Sequence, residues 1–124
     1  MTRWIVDGMN VIGSRPDGWW RDRAGAMREL VAALDSFAER SGEPVTVVLD
    51  GRAFELPARL VEVGFASRRG PNAADDDIAE LVRSAADPGE LTVVTSDAGL
   101  AARVRGTGAA VVGAGGFRRE QLGG

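Results

Sequence analysis

"IVDGMNVIG", residues 5–13, begins as a buried strand and breaks at a carboxylate followed by glycine. Trp4, Ile5 and Val6 run into an apolar segment that stops on Asp7, Gly8 and Asn10. The same event recurs in "VTVVLDG" (45–51) and in "LTVVTSDAG" (91–99). Five short runs rich in Val and Ile stand out, at 3–6, 45–49, 61–66, 91–95 and 109–112. Four are near-continuous instead of alternating, as parallel strands covered on both faces must be. "LVEVGFA" (60–66) is less pure and reads as an edge strand.

Helical periods lie between the strands. In 24–40, Met27, Leu30, Val31, Leu34 and Phe37 form one stripe, and Ser41-Gly42 marks its end. In 75–87, Ile78, Leu81, Val82 and Ala85 face inward and Pro88-Gly89 stops the helix. A third helix, 98–105, ends at Gly106 and Gly108, and "FELPARL" (54–60) adds a further helical turn. Strands alternating with helices imply right-handed crossovers and an α/β three-layer sandwich around a parallel sheet. The loops 13–23 and 67–74 are polar, carry arginine and are punctuated by Pro16, Gly18, Gly70 and Pro71. The tail from Gly113 to Gly124, with its glycines and "FRRE", reads as a poorly ordered end.

At 124 residues the chain is expected to be one domain, 1–124, burying roughly two-thirds of its unfolded surface. It is 44% hydrophobic and 27% charged, the composition of an ordinary globular protein. No apolar run is long enough to span a membrane and no leader precedes the first strand, so the chain is expected in the cytoplasm with no membrane partner. Without cysteine or histidine there is no disulfide, no thiolate nucleophile and no imidazole base. Chemistry must come from carboxylates, hydroxyls, arginine or a bound ion. The net charge of −3 argues against indiscriminate coating of nucleic acid but leaves room for an arginine-lined groove.

Ligands of an open parallel sheet bind beyond the carboxyl ends of its strands, near the point where strand order reverses. Asp7, Asp50 and Asp97 each sit at or just past such an end. Singly, each could be a turn residue or a helix cap; together they share one topological position. Asp75, Asp76 and Asp77 open the second helix, where the dipole favours acids. At about 100° per residue, Asp75 lies roughly 70° from the inward direction, Asp77 roughly 90°, and Asp76 nearly opposite. Asp75 is therefore the one expected to face the strand ends, and Asp76 a solvated cap. Clustered carboxylates repel unless a cation holds them, and oxygen donors without His or Cys select magnesium or manganese. Asn10 offers an amide beside Asp7, and Ser96 a hydroxyl beside Asp97.

"VDGMNVIG" (6–13), "AADDDIAELV" (73–82) and "VVTSDAGL" (93–100), in that order, resemble the NYN branch of the PIN-like nucleases, and most of all its bacterial YacP-like members. The resemblance implies a PIN-like fold with strand order 3-2-1-4-5 and metal-dependent hydrolysis of RNA phosphodiesters. The family's catalytic positions fall on Asp7, Asn10, Asp75 and Asp97. Its metal would be held by Asp7, Asp75 and Asp97, with Asp50 and Asp77 as further acids and Ser96 in support. Ala73 stands where the family usually has Thr, Asp77 is an extra acid, and the chain is short for the group.

Three readings follow: a Mg- or Mn-dependent ribonuclease, a non-catalytic RNA-binding module of the same fold, and a phosphatase with Asp7 as nucleophile. The last wants an acid two residues after the nucleophile and a downstream lysine; the chain has Met9 and no lysine. RNA contacts would come from Arg15, Arg21, Arg23, Arg52, Arg68 and Arg69, whose planar forks suit phosphate. Trp19 and Trp20 could stack on unpaired bases or pack against the first helix. Arg118 and Arg119 read as a solvated tail, and homodimerisation is left open.

Overall fold

The computed structural model describes residues 1–70 and 72–123; Pro71, read above as loop punctuation, lies outside them. Five strands, β1 (Arg3–Asp7), β2 (Val45–Leu49), β3 (Glu62–Phe65), β4 (Leu91–Val94) and β5 (Ala110–Val112), form one sheet in the order β3-β2-β1-β4-β5. Every pairing is parallel. The α/β fold and the order 3-2-1-4-5 are therefore as the sequence and its resemblance indicated, with "LVEVGFA" as an edge strand.

The unbroken apolar runs have a direct cause. Neighbouring residues of a strand point to opposite faces, and here both faces are covered. Val6, Val47, Leu49 and Val94 belong to a core with the helices α1 (Gly8–Ile12), α2 (Arg23–Ser41) and α5 (Ala114–Gln121). Ile5, Val48, Val93 and Leu91 belong to a second core with α3 (Ala73–Arg83) and α4 (Ala98–Arg105). The α2 stripe read from the sequence is the buried one, from Met27 to Phe37. It also buries Asp35, whose carboxylate accepts the N–H groups of Arg59, Leu60 and Val61 at 3.0 Å each. Burial alone would raise that carboxyl, but the three backbone donors bring it below the usual range.

Four expectations need correction. Residues 54–60 form no helix; Asp35 instead fastens the end of this extended stretch to α2. The second helix starts two residues earlier than read and ends at Arg83. Leu81 does not face the core: α3 packs over β1 and β2, not over the edge strand, so Leu81 overhangs an open groove of about 310 Å³ and is 44% exposed. Gly124 lies outside the described residues, and the tail from Gly113 to Gly123 is no loose end. Its glycines lead into α5, where Phe117 is 3% exposed and its ring meets Trp4 and Phe37 at 5.4 and 5.3 Å. Burying one aromatic side chain that completely is enough to order a helix whose own glycines disfavour it.

Phe117→Ala should accordingly cost about 3–5 kcal/mol in urea unfolding of the full chain. A loss below about 1 kcal/mol would mean the helix contributes little to the core.

Candidate active site

The carboxyl ends of β1 and β4 lie side by side, Val6 opposite Val94, so Asp7 and Thr95 leave the sheet next to each other. β1 is also the strand at which the order turns back, with β2 on one flank and β4 on the other. α1 begins immediately after Asp7 and lies close on β2. A Cβ on Gly8 would stand 2.5 Å from Leu49 Cδ2 and 3.0 Å from the Val48 carbonyl oxygen, so only glycine permits this approach. Asp7 is thereby drawn under the turn and is 6% exposed.

A chain of hydrogen bonds fixes the neighbouring groups. The buried Thr95 hydroxyl donates to Asp7 Oδ2 at 2.9 Å and accepts the Asp97 N–H at 3.1 Å. Asn10 Oδ1 accepts the Ser96 N–H at 2.7 Å, tying α1 to the end of β4. Ser96 Oγ accepts the N–H of Ala114 at 2.8 Å, which tethers the start of α5 to the same loop. Arg118 closes the ring by donating to the carbonyls of Val11 and Ile12, at 2.9 and 3.2 Å, at the end of α1. It is a half-buried brace, not part of a solvated tail. Asp97 caps α4 through Oδ1, which accepts the Leu100 N–H at 2.9 Å.

Asp7, Asp50, Asp75 and Asp97 line one cleft of about 180 Å³, together with Asn10, Asn72 and Met9. The electrostatics are those of crowded acids. Burial pushes the Asp7 carboxyl up to about 6, opposed by the Thr95 hydrogen bond and reinforced by the charges of Asp75 and Asp50. Asp75 is raised as well, by burial first and then by Asp97, against the pull of Arg103. Among the described residues Asp50 Oδ1 is buried without a hydrogen-bond partner, a state that normally demands an explanation. A cation would relieve both the repulsion and the orphaned oxygen, and an all-oxygen donor set fits Mg2+ or Mn2+. Among the described residues no group of three acidic side chains is arranged to hold an ion by itself. The fit is therefore to an ion bound through one or two carboxylates with water completing its shell, the usual habit of magnesium.

The other candidates lie elsewhere. Asp77 does not line the cleft; it accepts the N–H and hydroxyl of Ser67 at 2.7 and 2.8 Å. Asp76 is exposed as expected, yet it pairs with Arg68 and Arg103. Arg103 has no signature in the sequence, because nothing in "AGLAARVR" distinguishes its two arginines from an ordinary solvated face. Thr95 is legible in principle, as the hydroxyl that directly follows the Val93-Val94 pair. Arg15 pairs with Asp17, and Arg21 and Arg23 lie over the rings of Trp20 and Trp19. Trp19 packs on the first core while Trp20 stays 54% exposed. Arg52 and Arg69 are exposed.

A pH effect follows from Asp7. With its folded-state value near 6 against an ordinary 3.8, the folded chain keeps a proton that the unfolded chain has already released. Stability from this group is present below about pH 4 and is lost as pH rises towards 6, by at most about 3 kcal/mol. Asp7→Asn should lack this slope and be no less stable than the wild type at pH 7. Urea unfolding of both proteins in a chelating buffer at pH 4.5 and 7 measures it. Comparison with the variant matters because lowered groups such as Asp35 slope the other way.

No curated protein matches the chain. Among solved structures, a mutant of Rae1 (YacP) from Bacillus subtilis superposes with a TM-score of 0.80 at 27% identity, over 97% of this chain and 74% of that one. A second structure, of Rae1 (YacP) from the same organism, gives a TM-score of 0.77 at 24% identity, over 97% and 73%, and so speaks to the fold alone. The sequence model of the YacP-like NYN domain matches residues 4–121, from the first strand to the last helix. By that match the chain belongs to the YacP-like NYN domain family.

Proposed function

We propose that the chain is a metal-dependent ribonuclease that hydrolyses RNA phosphodiester bonds in the cytoplasm. The observation that carries this reading is the convergence of Asp7, Asp50, Asp75 and Asp97 on one cleft, with Asp50 Oδ1 buried and unpartnered. Membership of a nuclease family and the likeness to Rae1 (YacP) support it. Met9, which lines the cleft two residues after Asp7, disfavours the phosphatase, since that position would need an acid.

In this reading one or two of Asp7, Asp75 and Asp97 would hold the ion directly, water would complete its shell, and the remaining carboxylates with Asp50 would complete the negative field. A bound Mg2+ or Mn2+ supplies the chemistry that histidine supplies elsewhere, lowering the pKa of water and neutralising phosphoryl oxygens. Thr95 keeps Asp7 oriented and, by its hydrogen bond, nearer to ionisation at neutral pH. Asn10 lines the cleft with its oxygen engaged by Ser96, which leaves its amide N–H2 to donate to substrate or to a carboxylate. Asp77, held by Ser67, steadies the loop that carries Arg68 and Arg69. Those arginines, with Arg52 and the exposed ring of Trp20, meet the RNA backbone and an unpaired base.

Labelled single-stranded RNA incubated with manganese tests the proposal. The wild type should cut it, and Asp7→Asn or Asp97→Asn should reduce cutting by at least about a hundredfold with RNA binding retained or tightened. Arg68→Ala with Arg69→Ala should weaken binding across sequences and flatten its salt dependence. Wild type that binds RNA and cuts it with neither metal would establish the binding module instead.

A further inference from the structure

Asp76 was read as a solvated helix cap, and a cap needs no arginine partners. It has two, from different elements. Arg68, in the loop before α3, reaches Asp76 Oδ2, and Arg103, on α4, reaches Oδ1 at 3.0 Å. Two guanidinium groups thus meet the two oxygens of one small anion. The non-bridging oxygens of a phosphodiester present the same charge at similar spacing, and arginine forks bind either anion in the same geometry.

We propose that Arg68 and Arg103 form a clamp for one backbone phosphate of RNA beside the acidic cleft, and that Asp76 occupies the clamp when RNA is absent. Its placement follows from Asp76 itself, which adjoins Asp75 at the start of α3, and Asp75 lines the cleft. A strand whose phosphodiester enters the cleft carries its neighbouring phosphates along this rim. Four carboxylates repel such a strand, so the cleft needs fixed positive charge next to it. The clamp supplies that charge without lysine. Its resident pairs are easily exchanged, because all three side chains are about half exposed, from 46% to 55%, and exposed pairs are weak. Asp76 lowers the affinity of the empty clamp for stray anions and competes with the phosphate as product leaves.

The ligand assignment rests on the ribonuclease reading, so binding and cutting are measured apart. Fluorescence anisotropy with a labelled single-stranded RNA, in EDTA, reads binding by the full chain. Arg68→Ala and Arg103→Ala should each weaken it about fivefold and reduce the salt slope by about one. Arg103→Lys should restore the slope but only part of the affinity, since it keeps the charge and loses the fork. Asp76→Asn should tighten binding about fivefold. Glu90→Gln, the same charge change just before β4 on the opposite edge of the sheet, should leave it within about twofold. Circular dichroism confirms that each variant is folded. Equal tightening by Asp76→Asn and Glu90→Gln, or an unchanged slope in either alanine variant, overturns the clamp. Wild type that fails to cut in manganese while these binding shifts appear removes the nuclease and leaves the clamp. Cutting with no such shifts removes the clamp alone, and no binding to RNA removes both.

Discussion

Asp7 ends a strand buried on both faces, where loss of water penalises its charge, and the Thr95 hydroxyl is the partner that makes the position tolerable. That bond joins the last residue of β1 to the exit of β4, the two strands between which the strand order reverses. Because Thr95 also accepts the Asp97 N–H, one hydroxyl sets both carboxylates. Loss of the hydroxyl would leave Asp7 buried with less to offset its charge and Asp97 with a freer backbone. Asn10 and Ser96 repeat the connection one layer outward. The carboxyl edge is thus assembled from short polar links between strands whose buried residues are apolar up to that edge.

This edge also explains why α5 matters. Ala114 N–H to Ser96 and Arg118 to the carbonyls of Val11 and Ile12 place the last helix across the two loops that carry the site. Its grip comes from the opposite end of the energy scale: Phe117, Trp4 and Phe37 form an aromatic cluster in the first core. Apolar burial therefore supplies the anchorage, and a few directed hydrogen bonds convert it into position. A free energy gained in the core is what holds repelling carboxylates together.

What could be read from the chain, and what could not, follows the same division. Strands such as "VTVVLDG" are legible because two-sided burial leaves no room for charged residues until the strand ends, so Asp7, Asp50 and Asp97 announce the edge by interrupting the run. Helical angles placed Asp75 towards the cleft and Asp76 towards solvent. They could not show that Asp76 has two arginine partners, because partners come from other elements and leave no local period. α5 was hidden by its glycines: local propensity spoke for disorder, and a single tertiary contact at Phe117 overrode it. Asp35 was hidden for the opposite reason, as a polar residue inside an apolar stripe whose three donors lie more than twenty residues away.

The absence of lysine acquires a physical consequence at this site. A lysine buried near such a cleft could shed its proton, and its single ammonium offers no planar fork. Arginine stays charged next to any carboxylate and shares its donors between two oxygens. Four acids on one side and guanidinium groups on the rim therefore make a field whose sign changes over a few ångströms, and its positive side persists at every pH where the chain is folded. An anion approaching this edge is drawn to the rim and refused by the floor. Only something positive can join the two, which is why a cation and a phosphodiester together suit the cleft better than either alone.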